Sequence, residues 1–177
     1  MTWTVKIFFS LLLILFSGLE LHAQTTGQEF TITGQITAEV VPVFSASETS
    51  QLNFGKFSPG YQGGELILTP DGAISVLGSV YSGGGFHNPA CFFLTGTEDA
   101  AFSITLPSEP VVIRHETSSK TMIVKDWMSI PAHGTGTGML FNGFREVHVG
   151  ATLRIGTLLD NPVGRYRGSY NITFDFN

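Results

Sequence analysis

Of the five histidines, four lie beyond the apolar N-terminal stretch: His87, His115, His133 and His148. They are the side chains best suited to acid–base work or metal binding near neutral pH. No two of them have the i, i+4 spacing that sets ligands on one helix face, or the i, i+2 spacing that sets them on one strand face. His87 and His133 adjoin Gly-rich stretches, Ser82-Gly83-Gly84-Gly85 and Gly134-Thr135-Gly136-Thr137-Gly138. Such loops can bring the two imidazoles to one end of a β domain; the plainer reading is surface or turn-stabilising histidine. Trp127, with Tyr61, Tyr81, Tyr166 and Tyr170, has the ring types of a sugar-stacking platform, and the same residues serve equally as core or cross-strand partners.

Other chemistries lack their residues. There is no Gly-x-Ser-x-Gly, and no Ser, His and Asp set is spaced as a nucleophilic triad. The Gly134–Gly138 run lacks the Lys-Ser/Thr of a phosphate loop and a helix to aim its amides, so it reads as an interstrand connection. Glu98-Asp99 and Asp126 do not follow the spacing of a calcium loop, and no carboxylate pair stands out for glycoside hydrolysis. No catalytic residue, metal ligand set or cofactor site is assigned, and Trp127, His87 and His133 remain as ligand-contact candidates.

The N-terminus bears on where the protein works. Lys6 precedes the apolar run Ile7–Phe16, and Leu21-His22-Ala23 ends in a small residue before Gln24. This is the pattern of a secretory signal peptide cleaved between Ala23 and Gln24, too short for a comfortable membrane span. The reading gives a leader over 1–23 and one domain over 24–177, secreted to a periplasm, an outer surface or the medium, with no stable membrane insertion after cleavage. The chain has 9 Lys and Arg against 14 Asp and Glu, a net charge of −5 with no run of either sign. That balance argues against nucleic acid and anionic membrane surfaces as partners. Cys91 is the lone cysteine, so the fold has no internal disulfide; within Ala90-Cys91-Phe92-Phe93-Leu94 it reads as a small buried hydrophobe.

What must position these residues is a sheet. With 21 Gly, 15 Phe and only 13% charged residues, the composition is that of a turn-rich β protein. Tyr170, Ile172, Phe174 and Phe176 alternate with Asn171, Thr173 and Asp175 as one strand, and Phe30, Ile32, Ile36, Ala38 and Val40 alternate with polar residues as another. Ser45–Gln51 reads as a polar loop, Leu52–Phe57 as a short strand closed at Ser58-Pro59-Gly60, and Pro70-Asp71-Gly72-Ala73 as a tight hairpin turn. Apolar parity runs through Phe102, Ile104 and Leu106, and through Val147, Val149, Ala151, Leu153 and Ile155. No stretch carries a helical apolar stripe. The expected fold is all-β, an immunoglobulin-like antiparallel β-sandwich of roughly eight to ten strands.

Several short motifs then carry a resemblance: Leu52-Asn53-Phe54-Gly55, Pro89-Ala90 with Thr95-Gly96, Phe102–Pro107, Val149-Gly150-Ala151-Thr152-Leu153, and Gly164-x-Tyr166-x-Gly168-x-Tyr170. Together they resemble an exported bacterial family described as domain of unknown function 4402, over about Thr31 to Asn177. The resemblance implies an adhesin-like or fimbrial sandwich with no catalytic residues to transfer. Many pilins carry a disulfide near their first strands and an N-terminal extension that completes a neighbour's sheet. This chain cannot form the disulfide, and Gln24–Gln28 lacks apolar alternation, so strand donation would have to use Glu29–Val40.

Three functions follow as expectations. The first is a non-enzymatic exported structural or interaction protein, pilin-like or adhesin-like, that self-associates or binds envelope proteins. The second is a secreted carbohydrate-binding module with a glycan partner. The third is an enzyme of unknown chemistry.

Overall fold

The computed structural model describes residues 29–41 and 43–176. The expected leader and the Ala23–Gln24 cleavage bond lie outside the described residues. The chain divides into two units, Met1–Glu39 and Val40–Asn177. Eleven strands and no helix occur among the described residues: β1 Ser45–Ser50, β2 Phe57–Leu68, β3 Ile74–Ser82, β4 Ala90–Thr95, β5 Ala101–Thr105, β6 Val111–His115, β7 Thr121–Ile130, β8 Gly134–Met139, β9 Phe144–Ile155, β10 Tyr166–Arg167 and β11 Thr173–Phe176.

All strand pairs are antiparallel. A large sheet runs β1-β4-β9-β7-β6-β10, with β2 pairing both β3 and β9, and a smaller sheet runs β11-β5-β8. β9 is the spine. Its first half pairs with β4, its second half with β2, and its other edge with β7. Val147, Val149, Ala151, Leu153 and Ile155 are all buried, as their parity predicts, and they meet Leu66, Leu94, Phe102, Ile104 and Leu140 in one core. The sequence therefore forms the all-β antiparallel sandwich expected of it.

Two expected loops are strands, each for its own reason. Ser45–Ser50 lacks alternation because its residues are mostly exposed, yet its backbone pairs with β4. Gly134–Met139 forms β8 because its glycines leave room: a Cβ at Gly138 would strike the Phe102 ring, which is wholly buried there. A third difference is β2, which runs unbroken through Pro59-Gly60 and Gly63-Gly64 on a bulge between Pro59 and Gly63. The Pro70–Ala73 turn forms as expected, with Thr69 N–H bonded to the Ala73 carbonyl at 2.9 Å.

The strand expected over Phe30–Val40 does not form. Residues 29–41 carry no strand pairing, and Phe30, Ile32, Ile36 and Val40 are 81–97% exposed. Alternation supplies an apolar edge but not the second backbone a strand requires. The terminal strand pairs with β5, where Phe174 is opposite Ile104 and Phe176 opposite Phe102.

The Gly-x-Tyr-x-Gly-x-Tyr motif locks the last turn. Tyr166 donates from its hydroxyl to the Pro162 carbonyl at 3.0 Å and meets His115 edge-on. At Gly168 a Cβ would meet the Val112 carbonyl and the Ile113 side chain. Tyr170 lies against Trp127, with ring centroids 4.6 Å apart. Before it, the buried Asn161 accepts from Gly156 N–H at 2.5 Å and donates to the Thr121 carbonyl at 2.8 Å, tying the turn to β7.

Candidate functional site: a groove between two strand edges

β1 pairs only with β4, and β11 only with β5, among the described residues. Each is therefore an edge strand, with one row of backbone N–H and C=O groups unpaired by strands among the described residues. Phe44, Ser45 and Ala46 at the entry to β1, with Ile172, Thr173, Phe174 and Phe176 around β11, line an open groove of roughly 440 Å³. Phe44 stacks on Phe176 with centroids 4.2 Å apart, and Phe174 packs against Phe92 and Phe102, so the groove floor is aromatic and fixed.

The terminal parity builds this floor. Tyr170, Ile172, Phe174 and Phe176 are half-buried while Asn171, Thr173 and Asp175 are exposed. An apolar floor with free strand edges can accept an extended segment. Main-chain hydrogen bonds would supply affinity, and apolar side chains on one parity would fill the floor. The floor was legible in the alternating terminus. The Ser45–Ala46 wall was not, since a small polar stretch gives no strand signal.

A second cleft, of roughly 460 Å³, is lined by residues that include Leu106, Glu109, Lys125, Asp126, Trp127 and His133. It brings together two of the three ligand-contact candidates. A bulge in β7 between Lys125 and Met128, with Asp126 at φ 50°, shifts parity so that Trp127 turns inward after Met122 and Val124. Trp127 is only 8% exposed, and its Nε1, like the Tyr170 hydroxyl, is buried without a partner among the described residues. Its ring is thus a core partner of Tyr170, not an open stacking face. Burial pushes the Tyr170 phenol well above its ordinary pKa, with the Glu48 carboxylate adding to the shift. Lys125 bonds Asp126 at 2.9 Å and Glu65 at 3.0 Å, and these carboxylates raise its pKa.

His87, the third candidate, is not among the residues lining that cleft; it sits against Gly55. There Asn53 Oδ1 accepts from Gly55 N–H at 2.9 Å, and Asn53 bridges Asn88, which accounts for the Leu52–Gly55 motif. His115 has a structural role: its Nδ1 accepts from Thr117 N–H at 3.1 Å, which leaves Nε2–H to donate to the Val163 carbonyl.

A family model described as domain of unknown function (DUF4402) matches residues 44–176, from the groove's Phe44 to its Phe176. No curated protein and no solved structure matches the chain.

Proposed function

Because the chain belongs to the family described as domain of unknown function (DUF4402), a family of unassigned activity, we propose that its groove defines its work: a non-enzymatic, exported structural subunit of pilin-like or adhesin-like type. In this reading it associates through its strand edges at the bacterial envelope or surface. The single observation that carries it is an apolar groove lined by two edge strands, in a chain whose 30–40 segment presents exposed apolar residues on a single parity.

Phe30, Ile32, Ile36, Ala38 and Val40 lie on one parity of an extended backbone, and Gly34 falls on the same parity. Eleven residues at about 3.3 Å each span roughly 36 Å, enough to run the length of β1 or of Tyr170–Phe176. Single exposed apolar residues are ordinary, but a contiguous exposed series marks an interaction surface. The occupant of the groove is then the 30–40 segment of a second copy. Val41-Pro42-Val43 favours a neighbour over self-insertion. Proline biases the residue before it to extended backbone, and neither β-branched flank suits the positive φ of a tight reversal.

Deleting residues 24–40 tests this. The intact protein should form concentration-dependent oligomers or filaments in light scattering and electron microscopy, and the truncated protein should stay monomeric while retaining its β-sheet circular dichroism. An intact protein that stays monomeric at all concentrations, or a truncation that assembles equally well, overturns the reading. Nothing in the second cleft favours the carbohydrate-binding reading over this one, since the Trp127 ring is covered by Tyr170.

A further inference from the structure

We infer that the outer face of the large sheet carries a site for a borderline-soft divalent metal ion of the Zn²⁺ type, built from Cys91, Glu146 and His148. Cys91 on β4 and His148 on β9 are direct cross-strand partners. Glu146 lies two residues before His148 and shares its face. On the same two strands Ala90, Leu94, Val147 and Val149 are wholly buried in the core. The three polar side chains therefore project from the opposite face of rigid strands.

The Cys91 Sγ, a Glu146 carboxylate oxygen and a His148 ring nitrogen all lie within 4.8 Å of one another. His148 Nε2 lies 3.7 Å from Glu146 Oε2. Around a tetrahedral Zn²⁺, with Zn–S about 2.3 Å and Zn–N about 2.0–2.1 Å, ligand atoms sit roughly 3.3–3.7 Å apart. Separations within 4.8 Å need at most about an ångström of side-chain movement to reach that range. Glu146 is the ligand with the freedom to supply it, its side chain being 59% exposed. Cys91 and His148 are held by the strand register.

The donor set selects the metal. Thiolate and imidazole favour Zn²⁺ or Co²⁺, while Mg²⁺ and Ca²⁺ want oxygen throughout. Binding requires the thiol to lose its proton to solvent and the imidazole to be neutral. The thiolate and carboxylate then balance the dication, with a fourth position left for water or for a side chain of another molecule. The site has apolar flanks. Phe93 and Phe144 pair at 5.9 Å on the same face, and Ile130 lies opposite His148 on β7.

Sequence spacing among histidines alone misses this site. Its signal is Glu146-Val147-His148, an i, i+2 ligand pair, and the third ligand comes from a neighbouring strand. The same geometry places Cys91 on the outer face, on the parity opposite the buried Ala90 and Leu94.

Cobalt titration of the reduced, metal-stripped protein tests the inference. One equivalent of Co²⁺ should bind with a near-ultraviolet thiolate-to-cobalt charge-transfer band, and Zn²⁺ should displace it. Cys91→Ser should abolish the band, and His148→Ala and Glu146→Gln should each weaken binding by about tenfold or more. His115→Ala, remote from the site, should leave binding unchanged. Glu146→Gln alters only an exposed side chain, so its result stands even if another variant fails to fold by circular dichroism. Absence of saturable binding, a cobalt complex without the thiolate band, or affinities unchanged in folded His148→Ala and Glu146→Gln overturns the site.

Discussion

Phe44 and Phe176 stack at 4.2 Å with their planes 14° apart, so the residue that leads into the first strand is packed on the residue that ends the last. This contact joins the free edges of the two sheets. It is an aromatic clasp at one end of the groove, reinforced where Phe176 also meets the Phe102 ring. It also blocks any Cβ at Gly96, whose place the Phe44 ring occupies.

The clasp should be measurable as a coupling. Phe44→Ala and Phe176→Ala should each destabilise the fold, by about 2–4 kcal/mol given partial burial. Their double-mutant cycle should return about 0.5–1.5 kcal/mol of interaction beyond lost area. Urea unfolding of the four proteins reads it. Strict additivity would mean that the rings merely share a neighbourhood.

Tyr170 gives a prediction whose sign depends on pH. Its hydroxyl is buried without a partner among the described residues, so Tyr170→Phe should stabilise the protein by up to about 1 kcal/mol at neutral pH by removing an unmet polar group. Burial raises the folded-state pKa above the unfolded value of about 10. A group whose folded pKa is raised contributes stability fully below the unfolded pKa and loses it as pH rises toward the folded one. The wild type should therefore lose stability above about pH 10, and Tyr170→Phe should lose less there. Thermal melts from pH 7 to 11 check both; parallel pH curves for the two proteins would refute the assignment.

Asn161 should be the most sensitive polar residue of the C-terminal turn. Its amide serves Gly156 N–H and the Thr121 carbonyl from a buried position, so Asn161→Ala leaves both without partners. A loss of about 2–4 kcal/mol is expected from two unmet buried groups. Asn161→Asp should be milder at the accepting end and costly at the donating end, because a carboxylate cannot donate to Thr121. Chemical denaturation of both variants gives the comparison, and a loss below about 0.5 kcal/mol for Asn161→Ala, the range of an ordinary surface change, would contradict it.

These residues also show how far the sequence could be read. The β9 parity and the alternating terminus were legible because a two-residue period survives wherever one strand face is buried and the other is not. Trp127 was legible as aromatic core or platform but not as one over the other, because the bulge at Asp126 that turns it inward leaves no mark in a one-dimensional pattern. β8 was illegible because its glycines make way for Phe102, a partner distant in sequence. Cys91, Glu146 and His148 come together only through the β4–β9 register, which spacing within one strand cannot supply. Phe30–Val40 shows the limit of periodicity itself. The pattern states which face would be buried and is silent on whose sheet would bury it.

That last ambiguity is open to a complementation experiment. A protein truncated before Val41 presents the groove lined by Phe44, Ala46, Ile172, Phe174 and Phe176 without its own segment. A synthetic peptide of residues 29–40 should bind it and raise its melting temperature, since a ligand at 100 times its dissociation constant stabilises by about 2.7 kcal/mol. Replacing Ile32 and Ile36 by Asp puts two charges on the apolar parity and should abolish the shift. Replacing Thr33 and Thr37 by Asp alters the opposite parity and should largely preserve it. The parity contrast separates strand insertion from nonspecific apolar adhesion, because both peptides gain the same charge and differ only in the face that carries it. Equal shifts from the two peptides would rule out insertion in register, and no shift from the unmodified peptide would remove the groove as the acceptor.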